Sequence, residues 1–183
     1  PVEDVLRRRA AQPLVEECSA RIEESTGEIL QHIANDREHS LEIQLPFLQT
    51  ALRDTFKLLP VMVRSDDPVL LEAVARSIAP VLKNQKVLLV ASTDLSHFYT
   101  KDEAVMLDSS MLHHMTAFSP EGILKAERCG EGFACGAGAV ALMLWTSRYL
   151  GAHKVTLLHQ STSADASGDA SRVVGYGALA VTS

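Results

Sequence analysis

The sequence predicts an α/β domain in which helices cover both faces of a mixed, largely parallel central sheet. The apolar run 87–91, VLLVA, does not alternate with polar residues, which is typical of a strand buried on both faces. The order strand, helix, strand over residues 56–91 is typical of a right-handed crossover between parallel strands. The chain has 183 residues, of which 46% are hydrophobic and 22% charged, as in globular proteins. We therefore expect residues 1–183 to form a single three-layer αβα domain.

Most of the elements predicted for the first half of the chain are helices. Residues 2–30 have a helical composition that breaks near 23–27. Apolar residues at helical spacing predict a second helix over 38–54, bent at its internal proline. Residues 56–63 predict a strand. An Asp followed by Pro is a favourable helix start, so a third helix is predicted over 67–82.

The second half of the chain alternates helices with strands. Helices are predicted over 101–118, from 119 to 129 and over 139–150, where the following glycine ends the last one. Strands are predicted over 154–158 and 172–181. The last strand contains two glycines that indicate a bulge or the close approach of a backbone or ligand, at positions 175 and 177.

Charge and cysteine usage exclude several classes of protein. The net charge is −6 with both signs interspersed, which argues against a nucleic-acid-binding surface. The longest apolar stretch, 137–145, is too short to cross a membrane, and the charged first residues lack the apolar core of a signal peptide. The three cysteines form no CxxC pair, which is typical of a reducing compartment. We expect a cytoplasmic protein that binds neither nucleic acid nor a membrane.

The polar residues that follow the 87–91 run are the first candidates for a functional site. Ligands gather at the carboxyl ends of strands in such sheets, where Ser92, Asp94 and His97 would lie. A carboxylate three residues from an imidazole can fix its tautomer and increase its basicity, which suits general acid–base catalysis. The alternative is that Asp94 only caps the next turn.

Cys135 is the second candidate, because it lies among glycines just before a helix. A thiol at a helix N-terminus is a better nucleophile and metal ligand. The alternative is a small buried hydrophobe, the commoner role of a lone Cys. Glu38 and His39 begin the second helix, and His39 can equally be an exposed or capping histidine. A metal site built from this chain alone would draw on His39, His97 and Cys135, which lie far apart in sequence.

Four segments together resemble the Memo-like family, which includes protein B of the AmmeMemoRadiSam system. They are 38–48 (EHSLEIQLPFL), 92–98 (STDLSHF), 134–136 (ACG) and 172–178 (RVVGYGA). Their order and spacing agree with the family from about residue 35 to the end. The chain therefore resembles the carboxyl-terminal two thirds of a Memo-like protein.

The resemblance implies a fold shared with LigB-type class III extradiol dioxygenases, which are non-haem iron enzymes. It implies that Cys135 is a pocket metal ligand and that His97 is the acid–base residue. Asp94 occupies a matching motif position beside His97. Matching motif positions also place Ser92, Glu38 and His39 near the pocket. The cofactor implied for the full-length family is a divalent metal, Fe or Cu.

The sequence also departs from the family pattern. The family carries an amino-terminal P-H-A-G-Y motif and a second histidine segment, and both supply pocket histidines that are not among these 183 residues. We therefore expect the sheet to lack its first strands and the metal site of this chain to be incomplete. Either a fragment or a naturally short family member has this pattern.

These observations give a leading functional hypothesis and three alternatives. The leading one is a Memo-like protein whose His/Asp/Cys cleft has metal- or redox-linked chemistry, with enzyme activity left open. One alternative is a dioxygenase-like, metal-dependent oxidoreductase. Another is a non-enzymatic scaffold that binds a peptide or small molecule, and the third is a thiol hydrolase using Cys135 and His97. The partners implied by the resemblance are radical-SAM and AMMECR1-type proteins.

Overall fold

The structure, a computed structural model, describes residues 10–31, 33, 38–52 and 55–183. This part of the chain folds into helices and a three-stranded sheet, which confirms the α/β class. The helices are α1 (Gln12–Thr26), α2 (Ser40–Ala51), α3 (Pro68–Leu82), α4 (Lys101–Thr116), α5 (Pro120–Cys129), α6 (Ala137–Tyr149) and the short α7 (Ala164–Ser167). The strands are β1 (His97–Tyr99), β2 (Lys154–Thr162) and β3 (Val173–Thr182).

Local capping signals account for the helix ends. The Asp67 side chain accepts a hydrogen bond from the Val69 amide at 2.9 Å, with Pro68 at the first helical position, as predicted for α3. Helix α4 begins with a capping box between Thr100 and Glu103. Gly151 follows α6 with a φ of +98°, a left-handed conformation that stops the helix at the predicted glycine.

The sheet has the strand order β1–β3–β2, and both strand pairs are antiparallel. The largely parallel pairing that we expected is not found in this sheet. For β2 and β3 the physical reason is the short connection 163–172, because two strands joined this closely can return side by side only in opposite directions. The register of β2 and β3 runs from Lys154 opposite Thr182 to Thr162 opposite Gly175, with an irregularity between Leu157 and His159.

Two predicted strands are not strands in the described part of the chain. Residues 56–63 contribute only an isolated parallel bridge, between Leu58 and Ala10. The run 87–91 pairs with no described strand and is largely exposed, with Leu88 66% and Val90 48% accessible. An apolar run becomes a buried strand only where neighbouring strands pair with it and other layers cover it, and the described strands all pair elsewhere.

The hydrophobic core lies mainly among α4, α5 and α6. Its largest fully buried side chains include Met111, Ile123 and Trp145. Leu95 and Ala134 belong to the same buried cluster, and each is the sequence neighbour of a predicted site residue. Burying one leucine side chain stabilises a fold by roughly 1.5–3 kcal/mol, so the core also anchors the two segments that carry the site.

Candidate functional site

The segment 92–97 crosses from the core to the surface. Leu95 and Ser96 are buried, whereas the side chains of Asp94 and His97 are half-exposed on the same side of the molecule. His97 Nε2 lies 3.6 Å from Asp94 Oδ2. This separation lies within ion-pair range but is longer than a good hydrogen bond, so the carboxylate can orient the imidazole electrostatically.

Cys135 lies directly against this segment. Its Sγ accepts a hydrogen bond from the Asp94 amide at 3.2 Å, and the Cys135 amide donates to the Asp94 carbonyl at 3.2 Å. The Thr93 hydroxyl is 3.7 Å from the same sulfur. The thiol is exposed, which excludes the alternative that Cys135 is only a buried hydrophobe. The structure thus places Cys135 against the main chain of Asp94, whose side chain in turn faces His97.

A second bonded contact joins the start of α6 to the same segment. The Gly136 amide donates to the Thr93 hydroxyl at 2.8 Å, and that hydroxyl donates to the Asp94 carbonyl at 2.8 Å. A Cβ atom on Gly136 would lie 2.6 Å from the Ser92 carbonyl oxygen, so only glycine allows this approach. The sequence motifs did not identify Thr93 or Gly136 as site residues, although the glycine-dense run 130–138 was a visible signal.

Helix α2 reaches the site through Gln44. Its side-chain amide donates to the Ser92 hydroxyl at 3.0 Å, which places Ser92 at the junction of α2 and the site segment. Residues with this role cannot be recognised from spacing, because the two partners lie in separate parts of the sequence.

Glu38 and His39 have a different role in the described contacts. Glu38 Oε1 accepts from the amides of His39 and Ser40, both at 2.9 Å, and so caps the start of α2. His39 Nδ1 lies 3.0 Å from Glu42 Oε2 and both side chains are exposed. These contacts match the alternative of an exposed histidine at a helix start. The link from α2 to the site is instead the one made by Gln44.

Asp108 is a buried residue that no sequence motif identified. It lies on α4 behind the site segment, and Oδ1 accepts from the Ser96 amide at 2.9 Å. Burial raises the pKa of its carboxyl group, against the hydrogen bond from the Ser96 amide and the charge of His97, which lower it. Its helical spacing from the buried Ala104 and Met111 was the signal that places it on the core face.

The donor types at this site are ones that transition metals accept, namely thiolate, imidazole and carboxylate. However, no group of three or more His, Cys, Asp or Glu side chains within the described ranges is arranged to hold a metal ion. The residues that the structure describes therefore do not, by themselves, fit the divalent metal implied by the resemblance.

No helix among them is long and apolar enough to cross a bilayer.

Comparison with known proteins agrees with the sequence motifs. The family model described as Memo-like protein matches residues 12–180. A MEMO1 family protein of Nitrosopumilus maritimus is 33% identical over 150 residues, covering 82% of this chain and 54% of the relative.

Two further relatives show the same relationship. The MEMO1 family protein of Ignicoccus hospitalis is 34% identical over 80% of this chain and 52% of its own length. That of Methanopyrus kandleri is 32% identical over 92% of this chain and 58% of its own length. The chain thus spans about half the length of the curated relatives it matches. The extent of the family match shows that this chain belongs to the Memo-like family.

Proposed function

We propose that Asp94, His97 and Cys135 form a ligand-binding cleft in which the Cys135 thiol is the reactive, redox- or metal-linked group. The observation that carries the proposal is the hydrogen bond from the Asp94 amide to Cys135 Sγ, at 3.2 Å, on an exposed sulfur. It places an accessible thiol against the main chain of a distant residue, Asp94, whose carboxylate lies 3.6 Å from the His97 imidazole. Small molecules and peptides that carry an electrophilic group are the ligands suited to it.

The hydrogen-bond donors around the sulfur support this role. An N–H donor directed at the sulfur fixes the orientation of the Cys135 side chain at the accessible surface. The Asp94 amide is such a donor, whereas the hydrogen of the Thr93 hydroxyl is donated to the Asp94 carbonyl. Cys129 is exposed as well, but no such contact is found for its sulfur among the described residues.

His97 provides acid–base capacity beside the Asp94 carboxylate. Its main chain is fixed by β1, where it pairs with Val174 of β3, and its ring faces the Asp94 carboxylate. An imidazole held in this way can exchange a proton with a bound ligand. The dioxygenase-like alternative depends on iron, and the described residues do not complete an iron ligand set. The geometry therefore supports a thiol-centred site more directly.

The test compares the three cysteines within one protein. Native protein is treated with iodoacetamide between pH 6 and 9, and the alkylation rate of each cysteine is measured by peptide mass spectrometry. We expect Cys135 to react about three- to tenfold faster than Cys129 near pH 7, and the buried Cys18 to react slowest. We expect His97→Gln to reduce the rate of Cys135 and leave that of Cys129 unchanged. Equal rates for Cys129 and Cys135 in the native protein would contradict the proposal.

A further inference from the structure

A buried carboxyl group lies directly behind the proposed site. Asp108 is completely buried on α4, and its Oδ2 atom has no hydrogen-bond partner among the described residues. The neighbouring positions on this face of the helix, Ala104 and Met111, are apolar and also fully buried. Burying an incompletely bonded carboxyl group is costly, so a core position normally carries an apolar side chain. The presence of Asp108 therefore requires a role beyond packing.

The bonded oxygen of Asp108 points to that role. Oδ1 accepts the Ser96 amide at 2.9 Å, and Ser96 lies between Asp94 and His97 in the chain. Ser96 is buried, so without this acceptor its amide would be left unsatisfied. The carboxyl group thus fixes the main chain at Ser96, one of the two residues that separate Asp94 from His97.

Strand β3 holds the same short segment from another direction. The Leu95 amide donates to the Gly175 carbonyl at 2.9 Å, and the Gly175 amide donates to the Ser96 carbonyl at 2.8 Å. A Cβ atom on Gly175 would overlap the Asp108 carboxyl group, and all three of its nearest atoms belong to that side chain. The absence of a side chain on Gly175 is therefore what lets Asp108 reach the Ser96 amide.

We propose that Asp108 is a positioning residue for the site, and that it acts together with Gly175 to hold Leu95 and Ser96 in place. This inference rests on the proposed function, because its consequence is the placement of Asp94 against Cys135 Sγ and of His97 beside Asp94. Asp108 acts only as a hydrogen-bond acceptor in this role. The burial that raises the pKa of its carboxyl group favours the neutral form, which asparagine reproduces in size and in its carbonyl oxygen.

The experiment uses Asp108→Ala, Asp108→Asn, Gly175→Ala and the double variant Asp108→Ala/Gly175→Ala. Two properties are measured in each folded variant: hydrogen exchange of the Ser96 amide by NMR, and the ratio of Cys135 to Cys129 alkylation rates. Ser109→Ala, an exposed change next to Asp108 on α4, is the control for general disturbance of the helix.

We expect Asp108→Ala to accelerate Ser96 exchange by about tenfold, because the amide loses its acceptor, and to lower the alkylation ratio toward one. Asp108→Asn and Ser109→Ala should keep both properties near the native values. Gly175→Ala alone should disturb both. The effect of Gly175→Ala on both properties should be smaller when it is made in the Asp108→Ala background than when it is made in the native protein. The reason is that Asp108→Ala removes all three atoms that the new methyl group would meet.

Two results would overturn the inference: native Ser96 protection and alkylation ratio in Asp108→Ala, or loss of both in a folded Asp108→Asn protein. If Asp108→Ala does not fold, Asp108→Asn and Gly175→Ala decide the question by the same readouts. A native alkylation ratio of one would refute the proposed function instead, while Ser96 exchange would still report whether Asp108 fixes the segment.

Discussion

The hydroxyl of Tyr149 donates a hydrogen bond to Glu72 Oε1 at 2.6 Å and so joins α6 to α3 at the surface. Arg76, one turn after Glu72, donates to the same hydroxyl at 3.2 Å and to the carboxylate at 3.2 Å. The bond from Tyr149, followed by the bond and charge of Arg76, lowers the pKa of the Glu72 carboxyl group. The three side chains form a polar link between two helices whose other faces are packed in the core.

This link predicts a pH-dependent effect of Tyr149→Phe. Because the pKa of Glu72 is lowered in the folded state, its contribution is present above the ordinary glutamate pKa and is lost as the pH falls through the folded value. We expect the variant to lose at most about 1 kcal/mol of unfolding free energy at pH 7, since the group is partly exposed. The loss should shrink as the pH falls below the ordinary glutamate pKa and through the lower folded-state pKa of Glu72.

Urea unfolding of both proteins at neutral and at acidic pH checks this prediction. Tyr176→Phe is the matched control, because Tyr176 is about as exposed as Tyr149 and its hydroxyl has no hydrogen bond within the described ranges. An equal effect of Tyr149→Phe at both pH values would show that Glu72 is not involved.

Gly136→Ala tests the close approach of α6 to the site segment. The new methyl group would lie 2.6 Å from the Ser92 carbonyl oxygen and 3.0 Å from Thr93 Cβ, and neither atom belongs to a flexible side-chain end. We expect a loss of about 1–3 kcal/mol in unfolding free energy, with reduced Cys135 reactivity. Gly27→Ala is the control for backbone strain without a steric clash. A Cβ atom at this position would meet no other atom, but its φ of +74° is unfavourable for alanine. Gly27→Ala should leave Cys135 reactivity unchanged.

The capping box of α4 supports the helix that carries Asp108. The Thr100 hydroxyl accepts from the Glu103 amide at 3.4 Å and donates to Glu103 Oε2 at 2.6 Å. Removing the hydroxyl in Thr100→Ala should cost about 0.5–2 kcal/mol in thermal or urea unfolding. Thr100→Ser keeps the hydroxyl, so its free energy of unfolding should differ from that of the native protein by only about a few tenths of a kcal/mol. Similar losses in both variants would argue against the cap.

The exposed run 87–91 predicts an unusual tolerance of polar substitution. Leu88 is 66% accessible, so Leu88→Thr should change the unfolding free energy by less than about 1 kcal/mol. Leu95 is almost completely buried, and Leu95→Ala should cost about 2–5 kcal/mol. Comparable losses for the two leucines would indicate that the run is covered in solution.

Much of the helical structure could be predicted because its signals are local. Asp67 and Pro68 begin α3, and Gly151 follows α6, through contacts made within a few residues. The strand prediction for 87–91 was wrong because the formation of a buried strand is not a local property. It depends on pairing and covering elements that lie elsewhere in the sequence. The same holds for the pairing direction of β2 and β3, which is decided by the connection between them.

The candidate site divides in the same way. The proximity of Asp94 and His97 follows from their spacing, and their functional role stays a prediction. The contact of Asp94 with Cys135 joins positions 41 residues apart, and only the family resemblance placed them together. No local motif predicts the hydrogen bond from Ser96 to Asp108. The only sequence signal was a polar residue at a buried helix position.

The assembly of the site from 92–97, 135–136 and Gly175 has a thermodynamic consequence. These residues adopt their mutual positions only when α4, α6 and β3 are folded together, so the unfolded chain has no preformed site. A ligand that binds there stabilises the native state by mass action, by about 2.7 kcal/mol at a concentration roughly one hundred times its dissociation constant. Thermal-shift screening of metabolite collections is therefore a direct test for a ligand of the proposed site.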